Sequence, residues 1–204
     1  MKEEHKEILN PVWVRINHWT HAICIVTLVI TGFQLRYPDV FKIFGFKSAV
    51  HYHNVFGFIA IFNFLIWYFI YMVKGELKKQ YIPTKKDIKL IPKQGYFYLV
   101  GFFKGDHPLM EPTPEAKFNP LQKTAYCGLM FFLLPVQLLT GLFLWNIHFF
   151  KPVIDFFGGV RVIDAIHIFC AYSFATFLIV HFYLATLGHT VFAHFKAMIV
   201  GYED

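Results

Sequence analysis

The sequence predicts an all-α fold: an integral membrane bundle of four helices with both termini on the cytoplasmic side. Three observations lead there. Of 204 residues, 56% are hydrophobic and only 16% charged, whereas an ordinary soluble domain is about 45–50% apolar and about 25% charged. The 26 Phe and 11 Tyr would cover any soluble surface of this size with apolar area. The apolar residues are also gathered. Four stretches carry no charge, 16–35, 48–73, 124–150 and 165–195, and each reaches the roughly 20 residues that a helix needs to cross a bilayer. The third observation is the placement of the cations, which sets orientation.

In chain order, the start MKEEHKEILNP is mixed in charge and no small-residue cleavage site follows the first apolar run. That run therefore reads as a retained signal-anchor helix near 17–34. The second helix is expected near 53–73, the third near 124–146 and the fourth near 165–188, all within a single membrane domain spanning 1–204. A fifth run, Gln94 to Phe103, is too short to span and reads as an aromatic interfacial segment. The 74–123 loop is the one candidate for structure outside the membrane. Cys24, Cys127 and Cys170 lie inside predicted spans at unrelated spacings, which suits buried packing rather than a disulfide framework or a zinc site.

With four spans, the N-terminus, the 74–123 loop and the C-terminus share one side. That side holds Lys2, Lys6, Arg15, ten cations of the loop and Lys196, whereas the other holds only Arg36, Lys42, Lys47, Lys151 and Arg161. The positive-inside rule puts the richer side in the cytoplasm. The net charge of +6 is thereby explained by topology, and no nucleic-acid partner is expected.

Eleven histidines remain, and an ionisable group at membrane depth is a functional-site hypothesis by default. His167 and His181 share the fourth helix. Fourteen residues at 100° each fall about 40° short of four turns, so both rings project from nearly one face, about 21 Å apart along the axis. That offset suits two stacked haems, each needing one imidazole on either side of its iron. Depth supplies the partners. His53, at the outer end of the second helix, matches His167; His18, at the inner end of the first, matches His181. His21, three residues beyond His18, can face the same way and either coordinates in its place or packs. His51 and His53 point about 200° apart, and His53 is preferred because Gly57 leaves room on its face for a flat ring. Arg15, one turn before His18, is a candidate partner for haem propionates or a simple interfacial anchor. His5, His107, His148, His189 and His194 lie at or outside the interfaces and are read as solvated or headgroup-facing.

At these residues the chain resembles the membrane cytochrome b (gamma) subunits of respiratory formate dehydrogenases and nickel–iron hydrogenases, with thiosulfate-reductase-type cytochromes related. The resemblance covers nearly the whole chain. R-I-N-H-W looks like the family's first-helix ligand motif and implies His18; H-N-V-F-G-F-I-A-I-F looks like the second and implies His53; His167 and His181 reproduce the fourth-helix spacing. The implied pairs are His53 with His167 and His18 with His181, holding two haem b groups. The resemblance further implies a quinone, menaquinone or ubiquinone, bound beside the inner haem near Phe118-Asn119-Pro120-Leu121-Gln122-Lys123, with Asn119, Gln122 and Lys123 as its contacts. Leu121 stands where the formate dehydrogenase relative has glycine, so the pocket differs in shape.

The function expected is that of an electron-transfer anchor in a bacterial-type inner membrane. Electrons would pass between a periplasmic oxidoreductase, through an iron–sulfur or multihaem subunit, and the membrane quinone, in a complex able to form a higher oligomer. The chain carries no cysteine-rich cluster motif or other substrate-oxidising site of its own. Two other functions compete: a stand-alone haem shuttle, and a histidine-based metal or proton transporter. The second would want acidic residues along its path, and Asp164 at one edge is the only one in the predicted spans.

Overall fold

A computed structural model describes residues 8–110, 113, 116–188 and 190–202. The charged start with His5, and His189 near the other end, lie outside the described residues. Among those described the protein is all-helical, and four helices are long and apolar enough to cross a membrane: Val12–Arg36, Phe46–Val73, Pro120–Trp145 and Val160–Ala185. Mean hydropathy over their most apolar windows runs from 1.3 to 2.1.

In order, helix α1 is Val12–Arg36 and α2 Phe46–Val73. The 74–123 loop then holds α3 (Leu77–Tyr81), α4 (Lys85–Tyr96), a π-helical turn (Phe97–Gly101) and α5 (Phe102–Lys104). The third span is α6 (Pro120–Gly128), a second π turn (Leu129–Leu133) and α7 (Leu134–Trp145). A short α8 (Lys151–Phe156) precedes the last span, α9 (Val160–Ala185), and α10 (Ala193–Val200) follows it.

The spans begin earlier than the charge-free runs suggest. Arg15 and Lys47 are helical, because a long cationic side chain can reach the interface while its backbone stays in the helix. The third span starts at Pro120 because Asn119 caps it: the Asn119 side chain accepts from the Gln122 backbone N–H, and the Gln122 side chain from that of Asn119. The fourth starts after Gly158 and Gly159, both with positive φ (+99° and +92°), a conformation that glycine adopts at little cost. The π turn of the third span has a local cause. Pro135 has no N–H, and its ring crowds the carbonyl four residues back, so the regular ladder cannot run through this point. The 94–103 run is helical and far too short to span, as its length requires. Short α8 and α10 had no signal in apolar periodicity.

The chain divides into two compact units whose boundaries fall within the long helices. One comprises residues 18–67 and 130–178. Many of its buried residues are small, among them Cys24, Thr31, Ala49, Ala60, Thr140 and Cys170, as expected where membrane helices approach closely, and Trp67 and Phe174 are buried beside them. All three cysteines are free thiols. Gln34 is buried and clamps the α1–α2 connection: its Oε1 accepts from the Phe44 N–H at 3.0 Å, and its Nε2 donates to the Phe44 carbonyl at 2.5 Å. Phe62, Phe132 and Phe169 are more than 60% exposed, a pattern unfavourable in water and natural against lipid.

The other unit comprises the described parts of 1–17, 68–129 and 179–204. A run of ring contacts holds it: Trp13 to Tyr71 at 5.2 Å, Tyr71 to Tyr81 at 5.2 Å, Tyr81 to Phe118 at 5.3 Å and Phe118 to Tyr126 at 4.7 Å. The chain ends meet here, with Asn10 N–H donating to the Gly201 carbonyl at 2.9 Å. Gly201 has φ +100°, and a Cβ there would lie 2.9 Å from the Asn10 carbonyl oxygen. Only glycine fits.

Candidate functional site

His53 on α2 and His167 on α9 face one another within the first unit, ring centroids 6.3 Å apart and planes at 72°. Two imidazoles bound on opposite sides of one metal ion, each about 2 Å from it, have ring centres about 6 Å apart. The pair borders a cavity of about 540 Å³, within the size range of cofactor pockets. Its wall is mainly apolar, with Gly32, Gly57 and Gly141 among the lining residues. The polar lining residues include Arg36, Asn54, Tyr37, Tyr172 and Asp164, and the two tyrosine hydroxyls lie 2.5 Å apart. A flat macrocycle with an apolar body and two carboxylates is matched by an apolar slot that includes a cation and hydroxyls.

Each ring is held by a Thr-Gly pair on a neighbouring span. The Thr31 hydroxyl on α1 meets His53 Nδ1 at 2.9 Å, and the Thr140 hydroxyl on α7 meets His167 Nδ1 at 3.0 Å. The following glycines lie against the same rings. A Cβ on Gly32 would sit 3.3 Å from His53 Cε1, and one on Gly141 3.1 Å from His167 Cε1. Gln137 Nε2 lies 3.2 Å from His167 Nε2. These residues had not been singled out in the sequence. The signal that finds them is the recurrence of Thr-Gly in the first and third apolar runs.

The remaining predicted residues are placed as follows. His18, in the first unit, packs edge-on against Trp19 with centroids 5.4 Å apart. His21 Nδ1 lies 2.5 Å from Asn63 Nδ2 on α2. His181, in the second unit, neighbours Phe182 with centroids 6.4 Å apart. Arg15 donates to the Ile199 carbonyl of α10.

Asn119, Gln122 and Lys123 lie together at the start of α6. Asn119 is 8% exposed and both ends of its amide are engaged: Oδ1 accepts from Gln122 N–H at 2.9 Å, and Nδ2 donates one N–H to the Tyr98 hydroxyl at 2.6 Å. Tyr98 also anchors α9, its carbonyl accepting from the Tyr183 hydroxyl at 3.3 Å. Burial pushes the Tyr98 phenol up, against the hydrogen bonds from Asn119 and Gln94, so it stays protonated. Lys123 pairs with Asp87 at 3.5 Å. Partial burial would raise the Asp87 carboxyl. The Thr84 N–H and hydroxyl, at 2.7 and 2.8 Å, together with Lys123 outweigh that and hold it below its usual range.

Four apolar spans with a facing imidazole pair in an intramembrane cavity define a class, the multi-pass membrane cytochromes. The chain belongs to the prokaryotic cytochrome b561 family, whose model matches residues 10–201, and it is accordingly a haem b-binding, multi-pass protein of the inner membrane. It is 35% identical over 191 residues to the putative cytochrome YdhU of Escherichia coli strain K12, covering 93% of this chain and 72% of that one. It is 24% identical to the putative protein-methionine-sulfoxide reductase subunit YedZ1 of Azospira oryzae, covering 89% and 93%. It is also 24% identical to the formate dehydrogenase cytochrome b556(fdo) subunit of E. coli K12, covering 84% and 74%.

Proposed function

We propose that this chain is the membrane electron-transfer subunit of an oxidoreductase complex, one cytochrome domain that holds two haem b groups and exchanges electrons with the quinone pool. The observation that carries the reading is the His53–His167 pair, 6.3 Å apart across an apolar cavity. His53 and His167 hold one haem, with Arg36 and Tyr37 available to its propionates; His18 and His181 hold the other. When bound, haem supplies reversible one-electron transfer. The chain supplies the axial ligands, the apolar slot that keeps water from them, and the polar groups that receive the propionates.

His21 has a different role. An amide N–H directed at its Nδ1 by Asn63 leaves the ring proton on Nε2, so that nitrogen has no lone pair for iron. An interhelical hydrogen bond is the ordinary use of a membrane histidine, and this one leaves His18 as the ligand. Both termini and the 74–123 loop face the cytoplasm, where ten of the loop's residues are cationic. One relative is named as a formate dehydrogenase subunit and another as a putative sulfoxide reductase subunit, which supports a catalytic partner; its place in this reading is the opposite, periplasmic face.

The quinone is taken up beside Asn119, Gln122 and Lys123, with Tyr98 as the proton-bearing neighbour. Because Asn119 also caps α6, its substitutions must be read in pairs. Asn119→Ala removes a cap worth about 1 kcal/mol together with the donor. Asn119→Asp keeps the capping oxygen but exchanges the Nδ2 donor for a charged acceptor oxygen. Both are expected to slow quinol-driven haem reduction in the purified protein. If Asp leaves the rate unchanged and Ala lowers only thermal stability, Asn119 is a cap and nothing more.

The whole reading is tested by a dithionite-reduced-minus-oxidised spectrum and haem assay of the purified protein. Two haem b per chain is the expected result. One would remove the His18–His181 assignment, and none would end the cytochrome reading.

A further inference from the structure

We propose that Thr31 and Thr140 are positioning residues that fix His53 and His167 in the same tautomer, with the proton on Nδ1 and the lone pair of Nε2 presented to a shared metal. The inference rests on the assignment of this pair as haem ligands and goes beyond it, because it says what makes the rings competent and what tunes the bound iron.

The argument is one of proton counting. Each threonine hydroxyl carries a single proton, and each has a backbone acceptor one turn earlier: Thr31 donates to the Thr27 carbonyl at 2.7 Å, and Thr140 to the Val136 carbonyl at 2.7 Å. With that proton committed, the hydroxyl oxygen can only accept. The group facing it at 2.9 or 3.0 Å is His Nδ1, which must therefore be the N–H. On His167 the far nitrogen tells the same story, since the Gln137 amide is directed at Nε2 from 3.2 Å and an amide N–H needs an acceptor there. Thr31 and Thr140 are 0% and 5% exposed, so water does not compete for the hydroxyls. The adjacent glycines complete the device: with no Cβ, Gly32 and Gly141 let each ring lie against the helix that carries its threonine. Two helices distant in sequence bear the same dipeptide in the same relation to a facing histidine.

A hydrogen bond accepted from Nδ1–H makes an imidazole a stronger electron donor to its metal, and loss of such a partner typically lowers metal affinity about 10- to 100-fold. It also favours the oxidised, more positive ion. Thr31→Val and Thr140→Val should therefore raise the midpoint potential of one haem and leave the other where it was. Both substitutions must move the same haem, with a change in its low-spin ferric electron paramagnetic resonance signal. Thr31→Ser and Thr140→Ser, which keep the hydroxyl, should stay near the wild-type potential. Should a Val variant lose haem outright, recovery of haem and potential in the Ser variant supports the proposal, and failure to recover overturns it. Unchanged potentials and signals in both Val variants overturn it as well, as does movement of two different haems. His53→Ala, run in parallel, separates the two levels: if it leaves haem content intact, the ligand assignment itself has failed, whatever the threonine variants show.

Discussion

If the chain holds two haems as proposed, His167→Ala is expected to remove one of them while the other keeps its potential, and His53→Ala to remove the same one. Each ring lies on its own helix, and the two face one another beside the cavity. The loss is compounded by what the ring leaves behind. Removing His167 strips Thr140 of its donor and Gln137 of its acceptor, and a buried polar group left unpaired costs about 1–3 kcal/mol. Haem content should fall by half and thermal stability with it. His18→Ala and His181→Ala should each remove the other haem, and His21→Ala none. A full complement of haem in His167→Ala, by pyridine haemochrome assay, would refute the pairing.

Gly141→Val should produce the same loss without touching a ligand. A Cβ at this position already lies 3.1 Å from His167 Cε1, tighter than ordinary contact, and the two methyls of valine must enter the cavity or displace the ring. Overpacking of this kind costs about 1–3 kcal/mol, and it bears on the one side chain that cannot move if it is to meet iron. The effect should be graded. Gly32→Ala, with 3.3 Å available, should keep its haem with a small spectral shift, Gly141→Ala should shift more, and Gly141→Val should lose it. Haem content and the Soret maximum across the three variants check the order. Wild-type spectra in all of them would mean that the glycines are mere helix-contact residues.

The spans were legible in the sequence because hydropathy and charge act along a single dimension: a run of 20 uncharged residues has one favourable environment, and its length alone fits it to the bilayer. Their ends were less legible. A charged residue marks where a side chain reaches water, and in Arg15 and Lys47 the backbone is still helical there. The facing of His53 and His167 was also expected from the sequence, since a helix converts residue number into height. The cap at Asn119 is local, closing over three residues to Gln122, whereas the Tyr98 contact could not be read, because nothing in the spacing of residues 98 and 119 brings them together.

The sequence by itself therefore determined a four-span helical membrane protein, since that follows from local composition and helix geometry. Only the tertiary structure decided which side chains meet at a given height. That His53 faces His167, that a threonine hydroxyl lies against Nδ1 of each ring, and that glycines give the rings their space depend on contacts between helices. The rotation of one helix about its axis relative to its neighbours is set by packing across the bundle, and hydropathy along a single chain carries no term for it.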